Sequence, residues 1–165
     1  MKEKEKRIIR LMVIAFLISS ITVVFFYEWN TRLQEIQGDN VEVLKQTDKI
    51  KLKIKKIEKD HAGNICIQLL TKNDNITYEY HNWTLGDGSG PYKKVQIVIV
   101  QPDKILAGKT YPYKMQLSDE DMAEGYTEAD GFQCYIRSKD ISESDVVAVV
   151  YEDRDGKKYI VYQDE

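Results

Sequence analysis

Residues 11–27, LMVIAFLISSITVVFFY, run for seventeen positions without a charge, starting ten residues into a chain of 165. At ~1.5 Å rise per residue a helix over this run is roughly 25 Å long. Ile8 and Ile9 extend it toward the ~30 Å of bilayer hydrocarbon, because Arg10 can snorkel to the headgroups. The segment predicts a membrane-spanning helix. A secretory signal shares the basic leader and apolar core, but its core is ~7 to 15 residues long and ends in small residues. Here Ser19 and Ser20 are the only small pair, and Ile21, Val23, Val24, Phe25 and Phe26 continue the run beyond them. Cleavage after that pair would leave ITVVFFY at a new N-terminus, so retention as a signal-anchor is expected. A buried core helix in a soluble protein is the other reading, and an all-round apolar helix behind a basic leader argues against it.

Lys2, Lys4, Lys6, Arg7 and Arg10 stand on one flank, against only Arg32 and the acidic Glu28 near the other. This bias places the N-terminus in the cytoplasm, with Tyr27 and Trp29 at the far interface, where amphipathic rings settle. The expected organisation is a cytoplasmic basic leader at 1–10, a transmembrane signal-anchor at 11–29, a helical stalk at 30–40 and an extracytoplasmic β-sandwich-like domain at 41–165. The stalk is read from EWNTRLQEIQ at 28–37, good helix formers that end at Gly38-Asp39-Asn40.

Beyond the stalk the hydrophobic period changes to two, beginning at Val41 and Val43 and clearest in IKLKIKKI at 50–57. Enrichment in β-branched and aromatic residues between turn signals predicts strands at 64–71, 76–85, 93–101, 110–117, 131–138, 146–151 and 157–163, the last two forming a hairpin. Breakers are read at 73–75, 86–91, 102–103 and 107–108. One short helix is predicted at 118–124, capped by Ser118 and ended by Gly125. The fold class is thus an N-terminal transmembrane α-helix followed by an all-β domain, an antiparallel β-sandwich or barrel.

The formal charge of −3 hides a split, since residues 1–10 carry five positive and two negative charges and leave the remainder near −6. Charge and location argue against nucleic-acid binding. The one dense basic run, Lys51 to Lys59, alternates with isoleucine and leucine and reads as the solvated face of a strand. Cys66 and Cys134 both lie outside the membrane in this topology, where they are either a disulfide or two free thiols acting as small hydrophobes. Asn75-Ile-Thr and Asn82-Trp-Thr match the glycosylation acceptor pattern, relevant only in a cell that glycosylates secreted asparagine.

Cys66 precedes Trp83 by 17 residues and Cys134 by 68, and Phe132 stands two before Cys134. In this order the chain resembles immunoglobulin-like sandwiches, where a buried tryptophan packs on a bridge between the sheets. Phenylalanine lacks the hydroxyl of their corner tyrosine. The resemblance implies architecture and no ligand.

No catalytic, cofactor or metal motif emerges. His61 and His81, the only histidines, lie neither in an H-x-x-x-H spacing nor beside a cysteine. The acidic stretch 118–130 departs from an EF-hand and reads as helix capping and solvation. Tyr78, Tyr80, Trp83, Tyr92, Tyr111 and Tyr113 are the surplus that invites a role, as a surface for a protein or glycan partner. Alternation places Tyr78 and Tyr80 on one strand face and Trp83 on the other. The expected function is a non-enzymatic binding or assembly module anchored in the membrane at the cell envelope. The alternatives are an envelope enzyme acting on wall polymers through acids such as Glu79 or Asp87, or a small accessory subunit of a membrane complex whose anchor is the contact, with Ser19, Ser20 and Thr22 as its small-residue face.

Overall fold

The computed structural model describes residues 3–37, 40–75, 95–153 and 155–164. The chain divides into two compact units, Met1–Thr31 and Arg32–Glu165.

The first unit is a single helix, α1 (Glu3–Thr31). Among the described residues it is the one helix long and apolar enough to cross a membrane. Its apolar side chains are exposed among the described residues: Phe16 is 71% exposed, Phe25 72% and Leu17 53%. Its few hydroxyls turn back on the helix. Ser19 and Ser20 donate to the Phe16 carbonyl at 3.0 and 2.8 Å, and Thr22 donates to that of Ile18 at 2.9 Å. Each is satisfied within the helix, which is what an apolar solvent demands of a polar side chain.

The second unit is mostly β. Its strands are β1 (Gln34–Ile36), β2 (Val41–Leu44), β3 (Ile50–Lys59), β4 (Asn64–Asn73), β5 (Val95–Val100), β6 (Ile105–Ala107), β7 (Tyr111–Pro112), β8 (Gly131–Arg137), β9 (Val146–Glu152) and β10 (Lys158–Tyr162). They form a six-stranded sheet in the order β1-β6-β5-β9-β10-β2 and a four-stranded sheet in the order β3-β4-β8-β7. Every pairing is antiparallel except that of β10 with β2.

The sheets face each other across one core. Alternate residues of β3, β4 and β8, among them Leu52, Leu69, Phe132 and Ile136, pack against Ile97, Ile99, Val149 and Tyr151 of the six-stranded sheet. Tyr151 and Thr71 share a hydrogen bond between their hydroxyls across the two sheets, so this buried phenol is not left unpaired. The other face of the six-stranded sheet is apolar as well, with Val98, Ala148, Val150 and Ile160 buried. Burial on both faces explains why β5 (VQIVIV) and β9 (VVAVVYE) read as nearly continuous apolar runs and not as alternations.

The strand IKLKIKKI is not a plain alternation either. Counting by two from Ile50 would put Ile57 on the lysine face. A β-bulge between Ile54 and Lys56 takes up Lys55 as the extra residue and returns Ile57 to the position opposite Ile67.

Two expectations are corrected. The helix ends at Thr31, and Gln34–Ile36 is a strand instead of a helical stalk over 30–40, because Ile36 pairs with Ile105 and is buried at 6% exposure; sheet pairing overrides helix propensity. Of 110–117 only Tyr111–Pro112 pairs as strand. Pro112 offers no N–H, and Met115 and Leu117 turn to pack with Leu70. Cys66 and Cys134, for which a disulfide and two free thiols are the two readings, are both free, and both lie in the four-stranded sheet on the neighbouring strands β4 and β8. Cys66 stands opposite Tyr135 and Cys134 opposite Ile67, so the two thiols point to opposite faces of one sheet and no bridge can form without moving a strand. The inter-sheet bridge on which the immunoglobulin-like comparison turned is therefore absent from this pair. The predicted strand 76–85, Trp83 and His81 lie outside the described residues.

Thiol labelling checks this disposition. In the folded protein a maleimide reagent should modify Cys66 alone and Cys134 only after denaturation, with no change on prior reduction. If neither thiol reacts until a reductant is added, the cysteines are bridged.

Candidate functional site

The alternation that buries one face of β4 and β8 turns Cys66 and Gln68, and Gln133 and Tyr135, to the other. In register, Glu58, Cys66 and Tyr135 form one row across the sheet, and Lys56, Gln68, Gln133 and Tyr111 form the next. The Gln68 amide donates to the Gln133 carbonyl oxygen at 3.4 Å, joining β4 and β8 through their side chains. Tyr135 is 37% exposed, whereas Tyr111 and Cys66 are half-buried. Burial raises the pKa of Tyr111, and burial with the neighbouring Cys66 raises that of Tyr135, so both hydroxyls stay protonated donors at neutral pH. Lys56 is paired with Glu58, which keeps its ammonium charged.

Beyond Pro112 the chain leaves the ladder but stays close to β8. The Tyr113 amide donates to the Gly131 carbonyl at 2.8 Å. A Cβ on Gly131 would sit 2.1 Å from the Tyr113 carbonyl oxygen, so this approach of two backbones requires glycine. Tyr111, Tyr113, Lys114, Glu128 and Ala129 line an open groove of about 650 Å³ along this edge. Lys114 and Glu128 form an ion pair across it at 3.0 Å.

The acidic stretch that follows is consumed inside the domain. Helix α2 (Asp119–Ala123) begins at Ser118, whose side chain accepts from the Asp121 amide while the Asp121 carboxylate accepts from the Ser118 amide at 3.0 Å. Gly125, at φ +85°, follows its end. The Asp121 carboxylate is fully buried and bonds Lys55 at 2.7 and 2.9 Å, with Lys53 at 3.1 Å. Lys51 and Lys72 donate to the Glu124 and Gly125 carbonyls at the other end. Cations at the carbonyl end and acids in the first turn both oppose the helix dipole, and the lysines of β3 and β4 supply them. The Lys55 bond and the Ser118 amide hold the Asp121 carboxyl well below the usual carboxylate range, and the Asp121 bond raises Lys53. Under this cover lie Leu70, Met115 and Tyr126, and burial pushes the Tyr126 hydroxyl up to about 12.

Of the aromatic residues expected to form a surface, Tyr111 and Tyr113 stand together at the groove. Tyr78, Tyr80, Trp83 and Tyr92 lie outside the described residues, as do Glu79 and Asp87. Gln68, Gln133 and Tyr135 were not singled out, although parity along 64–71 and 131–138 already places 66 with 68 and 133 with 135. Among the described residues no three His, Cys, Asp or Glu side chains converge to hold a metal. Comparison with protein-family models, with curated proteins and with solved structures gives no match.

Replacing Asp121 by Asn should lower the unfolding free energy by about 1–3 kcal/mol at neutral pH, since it leaves two lysines without their buried carboxylate. The native carboxyl titrates below the ~3.9 of the unfolded chain, so as pH falls the unfolded state takes up the proton first. In denaturant titrations the advantage of the parent over Asp121→Asn should hold steady between about pH 8 and 5 and shrink below about pH 4. A difference unchanged at the acid end would show that the carboxylate does not hold the helix.

Proposed function

We propose that this chain is a single-pass membrane protein, with its N-terminus in the cytoplasm and its β-sandwich held on the extracytoplasmic side as a binding or assembly module of the cell envelope. The observation that carries the reading is α1, 29 residues long, whose apolar side chains are exposed throughout and whose hydroxyls are satisfied within the helix. Eleven Leu, Ile, Val and Phe residues between 11 and 27 favour insertion by about 3 to 7 kcal/mol in sum, so one central charge would cancel roughly half of that. None is present in the run. The basic residues before it favour a cytoplasmic start, and the apolar run beyond Ser20 favours retention over cleavage.

The module reading is supported by what the domain offers to solvent. Tyr135, Gln68, Gln133 and the Tyr111–Tyr113 groove occupy one face and one edge of the four-stranded sheet, and an aromatic surface with polar tips suits recognition more than chemistry.

Protease added to intact cells, or to spheroplasts where a wall bars access, tests the topology. A C-terminal epitope should be lost while an N-terminal one survives, and alkaline carbonate should leave the untreated chain in the membrane pellet. Survival of the C-terminal epitope until the membrane is opened would overturn the proposal.

A further inference from the structure

We infer that the solvent face of β4, β8 and β7 is a platform for an uncharged glycan segment lying across the strands, an inference that rests on reading the domain as an exported binding module. Four features of the face select this ligand chemistry. Its charged neighbours are engaged within the protein, Lys56 with Glu58, Lys114 with Glu128 at 3.0 Å, Arg137 with Asp140 at 3.4 Å and Asp60 with the Ala62 and Asn64 amides, which leaves a middle suited to a neutral partner. That middle is built of Gln68 and Gln133, carboxamides that present donors and acceptors side by side, as sugar hydroxyls require of a partner. Tyr111 stands opposite Gln133, and Tyr135 follows it on the same face of β8, so rings flank the amides and can stack on the apolar C–H faces of pyranoses. With strands ~4.8 Å apart, the row from Gln68 through Gln133 to Tyr111 covers about 10 Å, the length of a disaccharide.

The fourth feature is at the edges. An extended peptide would bind by adding a strand, and both edges of this sheet resist that. Pro112 in β7 has no N–H to offer. On β3 the Leu52 and Ile54 amides already donate to the Gln46 and Gln163 side chains at 2.9 Å, and exposed lysines follow. What is left for a ligand is the face, which is reached by stacking and hydroxyl bonding.

The full chain in lipid nanodiscs should be titrated calorimetrically with chitohexaose and maltohexaose as neutral probes, heparin as an anionic one and an unstructured peptide of similar length. At least one neutral hexasaccharide should bind at concentrations up to about 10 mM. Tyr135→Ala and Gln133→Ala should each weaken that binding by about tenfold or more with an unchanged thermal midpoint, and Glu42→Ala, on the other sheet, should leave it intact. Heparin or the peptide binding in preference, neither neutral probe binding, or both face variants binding as the parent does would overturn the inference. Failure here with the C-terminal domain mapped outside the cell removes the ligand class alone, whereas a domain mapped inside removes the anchored module as well.

Discussion

Among the described residues, the apolar side chains of α1 between Leu11 and Phe26 are exposed, and that surface is compatible with lipid. Phe25 and Phe16 of α1 are more than two-thirds exposed, and a soluble chain seldom carries such a contiguous patch. Lipid is the environment in which the same surface stabilises instead of aggregating, and in which a helix is the structure that keeps every backbone group bonded. The proposed anchoring of the domain follows from that one constraint, and the basic residues that flank the segment add its proposed orientation.

Within the domain the corresponding constraint is the meeting of the two sheets. Once Leu52, Leu69, Phe132 and Ile136 turn inward against Ile97 and Val149, the parity of each strand decides what faces out. On β3 that leaves the lysines, which α2 uses through Asp121. On β4 and β8 it leaves a thiol, two carboxamides and a tyrosine. The bulge at Lys55 changes that parity, so that Lys55 reaches Asp121 on the outer face while Ile57 stands opposite Ile67. A short acidic helix clamped by lysines over Leu70, Met115 and Tyr126 then closes one end of the outer surface.

Local signals made much of this legible. The apolar run of α1, the strands near 64–71, 93–101 and 131–138, the hairpin of β9 and β10 and the capped helix after Ser118 are each written in a few adjacent residues. What escaped is what long-range pairing decides. Residues 34–36 carry helix formers yet join a sheet, because Ile36 finds Ile105 some seventy positions away. Residues 110–117 alternate like a strand, yet the ladder stops at Pro112 and Met115 is drawn to Leu70. The order of Cys66 and Cys134 fits a bridge or two free thiols equally, and the register of β4 against β8, which no local pattern encodes, sets them on opposite faces. Tyr111 and Tyr113 could be picked from aromatic density alone. Gln68, Gln133 and Tyr135 became part of the same surface only when β4, β8 and β7 were aligned.

The central claim is that the apolar segment remains part of the working protein. Intact mass measurement of the chain extracted from membranes by detergent tests it most directly. The account predicts a mass that includes residues 11–27. A mass beginning near Ile21, with the shortened chain recovered in the soluble fraction, would contradict it.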